Sequence, residues 1–191
     1  MKTSNLKIKA VLGLGNPAPE HQNTYHNVGV NLIDFLADGS KFQKVSGKRF
    51  EYIQLPLSNI SVNQLPNQRK SANNLILIKL LLFMNQSGMA AREAVSYFKL
   101  KPEEIAVAHD DSDMTLGNYK TSFDQRSAGH KGVQSVINIL KTQKFWRIKI
   151  GIRPPQEKVR KKSEEFVLKK ISKKDAVTLR NVFSKITAPL Y

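Results

Sequence analysis

Apolar residues along the chain follow two spacings that take turns. Ile8 to Gly15 (IKAVLGLG) is a short apolar run closed by Gly-Asn-Pro, which reads as a buried strand entering a turn. Val28, Leu32, Phe35 and Leu36 then recur at helical spacing, with Gly39 placed to stop the helix. Phe50 to Leu57 and Leu75 to Phe83 return to strand-length runs, and the polar stretch between them, Ser58 to Asn74, reads as a loop with at most one edge strand. Ala91, Val95 and Phe98 mark a second helix opened near Ser87. Ile105 to Ala108 is a short buried strand running into His-Asp-Asp, and Asn118 to Phe123 is another. Val133, Val136, Ile137 and Leu140 mark a third helix. Phe145 to Ile152 (FWRIKIGI) alternates with period two, as a half-buried strand should. Ser172 and Asp175 form a capping-box pattern ahead of Ala176, Leu179, Val182, Phe183 and Ile186, the last helix.

Strands and helices that interleave in this way predict an α/β fold. We expect a single domain over 1–191, with a twisted, mostly parallel or mixed sheet and helices on both faces. Sites in such sheets form beyond the carboxyl ends of the strands, which here brings forward Asn16, Asn85 and Asp110.

Composition narrows the class. A 191-residue chain with 40% hydrophobic residues can bury a core, so disorder is not expected. No run approaches the roughly 18 apolar residues that cross a bilayer. Met1 to Lys9 is polar and lacks the apolar centre of a secretory signal. The absence of cysteine excludes disulfides and thiolate zinc sites and fits a cytoplasmic protein. Charge changes the picture more. The net charge is +16, and Lys141 to Lys185 alone carries 15 basic and 4 acidic residues, so the segment over about 155–191 lies in the most basic part of the chain. Such a field attracts polyanions, nucleic acid ahead of anionic membranes or acidic proteins.

Gly13-Leu14-Gly15-Asn16-Pro17-Ala18 satisfies a dinucleotide-binding pattern, but that pattern must open a helix at once. Asn16 to Tyr25 is instead polar, with Pro17 and Pro19, so the glycines are read as shaping a turn that frees the Asn16 side chain over the sheet edge. In Thr24-Tyr25-His26-Asn27 the plain reading is a helix cap. Asp110, at another strand end, gives His26 a second reading, since a carboxylate beside one ring nitrogen leaves the other free to take a proton from water. Asp110, Asp111 and Asp113 also suit a turn or a Mg²⁺ site, while an EF-hand is excluded by the misplaced Gly and Glu. In Phe83-Met84-Asn85-Gln86-Ser87-Gly88, Asn85 and Ser87 serve as caps or Asn85 as a donor to a carbonyl. Ser127-Ala128-Gly129-His130-Lys131-Gly132 is a connector, or a helix start whose Lys131 holds a phosphate.

Together these segments resemble the bacterial-type peptidyl-tRNA hydrolases from about Val11 to Leu168. The likeness is carried by GLGNP at Gly13 to Pro17 with T-x-H-N-x-G at Thr24 to Gly29, FMNQSG at Phe83 to Gly88, AHDDSD at Ala108 to Asp113, and GHKG at Gly129 to Gly132. RIKIGI at Arg147 to Ile152 and EEFVL at Glu164 to Leu168 support it at the level of the fold, of the phosphorylase/hydrolase-like kind. The resemblance implies hydrolysis of the ester between a peptide and the tRNA 3′ end by a cytoplasmic monomer, with peptidyl-tRNA as the partner, no membrane, and neither metal nor organic cofactor. By position, His26 resembles the family's catalytic base, Asp110 the acid that hydrogen-bonds it, and Asn16 and Asn85 the residues that orient water and the substrate carbonyl or peptide backbone. Met84, Lys131, Tyr25 and His21 fall at substrate-binding positions. The family usually has Gly at Ala18, Tyr at His21, Arg at Tyr25 and Asn at Lys131. A Lys has no acceptor, so Lys131 cannot reproduce both halves of an amide's bonding. Two other readings remain: a non-enzymatic RNA-binding relative, and a small-molecule esterase or nucleotide-binding enzyme on a similar sheet, which leaves the basic excess without a reason.

Overall fold

Strand β1 (Ala10–Gly13) is buried at every residue, which requires a sheet neighbour on each side and a helix layer on each face. The computed structural model, which describes residues 8–56, 74–155, 164 and 166–187, supplies all four. Strands β2 (Gln43–Lys44), β3 (Phe50–Pro56), β4 (Asn74–Leu80), β5 (Ile105–Thr115), β6 (Tyr119–Phe123) and β7 (Trp146–Arg153) join β1 in one sheet ordered β2-β3-β4-β1-β5-β7-β6. The central four run parallel, with Ala10 opposite both Ile76 and Ile105. The β2–β3, β3–β4 and β6–β7 pairs are antiparallel, so the sheet is mixed around a parallel core. The polar stretch read as a loop lies, apart from Asn74, outside the described residues.

Alternation along the strands divides the core in two. Val11, Leu75, Leu77, Ala106, Ile148 and Ile150 face helices α1 (Val28–Ala37) and α4 (Lys173–Thr187). Ala10, Leu12, Ile78, Ile105 and Val107 face α2 (Ser87–Tyr97) and α3 (Lys131–Leu140). Each buried aliphatic side chain contributes about 1.5–3 kcal/mol relative to exposure.

Two details differ from the sequence reading. Strand β5 runs on through His109 and Asp110 to Thr115 instead of stopping at Ala108, because β7 continues to pair with it after the apolar residues end. Strand β7 is not half-solvated. Arg147, which alternation assigns to water, is fully buried under the α2–α3 layer, its guanidinium stacked 4.6 Å from the Phe145 ring centroid. Burial lowers its pKa to about 10, against the pull of Asp124.

The carboxyl ends of β1 and β5 are held close to the start of α1. The Leu14 N–H donates to the Ala108 carbonyl at 3.0 Å, and the Val30 N–H donates to the Leu14 carbonyl at 3.2 Å. Only glycine fits at position 29, where a Cβ would overlap the Ala108 carbonyl oxygen and come within 2.8 Å of the Leu14 carbonyl. Both obstacles are backbone, so neither can rotate aside. We expect Gly29→Ala to cost roughly 1–3 kcal/mol of stability, as overpacked sites do, and to lower turnover by lifting α1 from β5. Denaturant unfolding checks the first effect, and an unchanged midpoint would contradict the packing described.

Candidate active site

The turn after β1 is tied to the residues just before α1 by one side chain. Asn27 Oδ1 accepts the Asn16 backbone N–H and Asn27 Nδ2 donates to the Asn16 carbonyl, both at 2.9 Å. This reciprocal pair imitates a strand bond where β1 has ended. The Asn16 side chain is not free over the edge. Its Oδ1 accepts the Met84 N–H at 2.8 Å, which leaves the Nδ2 amide hydrogens as its available donors. Met84 itself is buried in the core beneath α3, so it supports the groove more than it lines it. Asn85, one residue on, is exposed. His21 meets the exposed Phe83 edge to face, with centroids 6.3 Å apart.

His26 lies in a single 3-10 turn, Tyr25–Asn27, ahead of α1. Its Nδ1–H donates to Asp110 Oδ1 at 2.8 Å, across 84 residues of sequence. The His26 side chain is 14% exposed and that of Asp110 3%, so the carboxylate is covered while the ring still reaches a cleft. The cleft, of about 170 Å³, is lined by His26, Asp110, His130, Lys131, Glu164 and Val167 among others. Since Nδ1 is committed to Asp110, Nε2 is the nitrogen with a lone pair for a proton.

His130 belongs to the same cluster, and the sequence reading passed over it for its neighbour Lys131. Its Nε2 stands 2.9 Å from the same Asp110 oxygen. Its Nδ1 caps α3, accepting the N–H groups of Gly132 at 3.1 Å and Val133 at 3.2 Å. An atom that accepts two N–H groups carries no hydrogen, so the proton sits on Nε2 and is donated to Asp110. Burial alone would raise the Asp110 carboxyl. The hydrogen bonds donated by His130 and then by His26 outweigh it and hold the carboxyl below the ordinary range.

His26 Nδ1, Asp110 Oδ1 and His130 Nε2 lie within 4.8 Å of one another, a spacing that invites the thought of a cation. A metal-binding histidine donates its other ring N–H outward. The two backbone amides that face His130 Nδ1 prevent this, and so leave Nε2 without the lone pair a metal needs.

Lys131, the first residue of α3, is exposed at the cleft mouth, where its Nζ lies 3.7 Å from Glu164 Oε1, with the side chains 71% and 76% exposed. An ion pair this open adds little stability. Tyr25 goes elsewhere. Its hydroxyl donates to Asp175 Oδ2 of α4 at 2.5 Å, and burial, then the hydrogen bond and charge of Asp175, push its pKa up to about 12. Placed by the resemblance among the substrate contacts, it fastens the His26 turn to α4. The backbone around it is fastened too. The Tyr25 N–H donates to the Lys169 carbonyl at 3.2 Å, the His26 N–H to the Val167 carbonyl at 2.8 Å, and the Ile171 N–H to the Asn23 carbonyl at 2.8 Å. Lys170 Nζ reaches the carbonyls of Glu20 and Gln22, both at 2.7 Å.

We expect Tyr25→Phe to destabilise the fold by about 1 kcal/mol while leaving KM unchanged. The sign of its pH dependence follows from a pKa raised in the folded state. The stabilisation is whole below the unfolded value of 10 and is lost as pH rises toward about 12. Unfolding curves of both proteins across that window test it; a raised KM with unchanged stability would return Tyr25 to the substrate.

Exposed bases along α4 and its approach are Lys169, Lys170, Lys173, Lys174, Arg180 and Lys185, and Lys141 and Lys144 follow α3. No helix among the described residues is long and apolar enough to cross a membrane.

Comparison with known proteins gives one consistent result. Residues 10–190 match the family model described as peptidyl-tRNA hydrolase. The chain is 37% identical over 177 residues to the peptidyl-tRNA hydrolase of Persephonella marina, covering 93% of this chain and 86% of that one. It is 32% identical to that of Mycoplasma capricolum, covering 93% and 88%. The crystal structure of peptidyl-tRNA hydrolase from Acinetobacter baumannii superposes with a TM-score of 0.76 at 24% identity, over 95% of this chain and 88% of that one, which supports the fold.

Proposed function

The chain belongs to the peptidyl-tRNA hydrolase family, and on that premise we propose that it cleaves the ester joining a peptide to the 3′ end of tRNA, recycling tRNA from stalled or dropped-off translation products. The observation that carries the reading is the His26–Asp110 pair at the edge of an open cleft, with one imidazole nitrogen held and the other uncommitted among the described residues.

His26 Nε2 takes a proton from water as the oxygen attacks the ester carbonyl. Asp110 keeps the ring in the tautomer this requires and stabilises the imidazolium that forms. Asn16, its carbonyl oxygen occupied by Met84, offers N–H to the oxygen on which charge develops. Asn85, exposed on the next turn, is assigned to the peptide backbone, and His21 with Phe83 to an apolar edge of the peptide path. The proton on His26 then passes to the departing ribose oxygen, giving a free tRNA end and a peptide carboxylate. Lys131 is assigned to the acceptor end of the tRNA, where a cation serves better than the amide usual in the family. The bases of α4 and its approach meet phosphates, so binding weakens with salt and is largely blind to sequence. The same reading has the enzyme act as a cytoplasmic monomer.

The test is release of peptide from purified peptidyl-tRNA in EDTA, with and without excess uncharged tRNA. We expect release in EDTA, slowed by the competitor and by added salt. Binding of tRNA without release would favour the non-enzymatic RNA-binding role, and release indifferent to tRNA and salt a small-molecule esterase.

A further inference from the structure

His109 precedes Asp110 on β5 and has no part in the chemistry above. It is 3% exposed, and its position in the strand explains what it holds. Carbonyls of a parallel strand point alternately to its two neighbours. That of Ala108 points to β1 and accepts the Leu14 N–H. The carbonyl of Asp110, two residues on, points to the same side, but pairing with β1 ends at Gly13 opposite Ala108. On the other side, regular pairing with β7 reaches only Asp111 before the register shifts. Asp110 therefore sits where the strand is losing both neighbours, although its carboxylate has to be held in place for His26.

The His109 ring fills the vacancy. Its Nδ1 lies 2.7 Å from the Asp110 carbonyl oxygen. A carbonyl can only accept, so Nδ1 carries the hydrogen. Nε2 has no partner among the described residues. The ring also stands edge-on to His130, with centroids 4.7 Å apart at 71°. One side chain thus touches both the backbone of Asp110 and the second histidine that binds its carboxylate. Burial lowers the His109 pKa well below the ordinary value, so the ring stays neutral, and the Asp110 carbonyl keeps its hydrogen on Nδ1.

We propose that His109 is a positioning residue for the reaction, replacing the missing strand neighbour at Asp110 and setting the carboxylate toward His26. The proposal rests on the general-base reading of His26, and His109 acts through Asp110.

Two substitutions separate the hydrogen bond from the bulk. His109→Phe keeps the ring against His130 and loses the N–H; His109→Asn keeps an N–H near the Nδ1 position and loses the ring. With peptidyl-tRNA as substrate, His109→Phe should lower kcat about tenfold, short of the roughly hundredfold that a 1 Å misplacement can cost. KM should stay within about twofold, since the tRNA surface is untouched, and His109→Asn should recover most of kcat. A wild-type kcat in His109→Phe, or equal losses in both variants, would overturn the proposal, the second by showing a packing role. Long-range proton–nitrogen NMR of the unmodified enzyme supplies a test that needs no variant: the proton of His109 must be on Nδ1, and finding it on Nε2 would also overturn the idea. His26→Ala run alongside keeps the two readings apart, because retained turnover there would remove the general base whatever His109 does.

Discussion

His26→Ala is expected to lower kcat on peptidyl-tRNA by roughly 10²–10⁴, the range that a positioned general base contributes. Affinity for tRNA should stay near the unmodified value, since phosphate contacts set it and the imidazole is assigned to none of them. The substitution removes a partner of the buried Asp110, but His130 still donates to the same oxygen, so the carboxylate is not left alone. Single-turnover rates with saturating enzyme, beside filter binding of uncharged tRNA, separate the two quantities. Unimpaired turnover would mean that water is activated by another group.

The second large effect is that of Asp110→Asn. Both histidines meet the same Oδ1, so an asparagine whose amide oxygen takes that place still accepts both N–H groups and keeps the tautomer of His26. What it lacks is the negative charge that stabilises the imidazolium formed as His26 takes its proton. We expect kcat to fall by about 10–10³, less completely than for His26→Ala, because the base itself stays in place. Stability should change with a characteristic pH dependence. The carboxyl of Asp110 has a pKa depressed from 3.8 in the folded protein, so its contribution is whole above that value and is lost as pH falls below it. The unmodified protein should lose stability through that acid range faster than Asp110→Asn does. Parallel acid unfolding curves for the two would show that the carboxylate gains nothing from its histidines.

Much of the architecture is legible in the sequence because periodicity is a local property. The apolar runs of β1 and β4 mark buried strands, the helical stripes of α1, α3 and α4 state which faces are buried, and the interleaving of the two states the α/β class. What was not legible depends on partners far along the chain. Strand β5 extends to Thr115 because β7 is beside it, and a run of Asp and Ser carries no apolar signal for that. Arg147 occupies a polar beat of β7, and only the helix layer above turns that beat inward.

The same holds at the site. His26 and Asp110 could be singled out as a histidine and a carboxylate at two strand-edge turns, but their 2.8 Å approach depends on the tertiary fold. His130 was hidden by its neighbour, since histidine is an uncommon helix cap and Lys131 drew the eye as a cation. Its capping role and its bond to Asp110 use opposite sides of one ring, which no spacing rule expresses. Tyr25 has a partner of the same distant kind. A tyrosine beside a candidate base invites a substrate contact, and nothing nearby in sequence announces Asp175, 150 residues on.

The fastening of the His26 turn by residues 167–171 bears on when this protein begins to work. An enzyme that severs peptides from tRNA is, while the ribosome is making it, such a molecule itself. The histidine and the aspartate have both been translated long before the segment that secures the backbone of the former. Synthesis must run past residue 171 before the histidine is pinned.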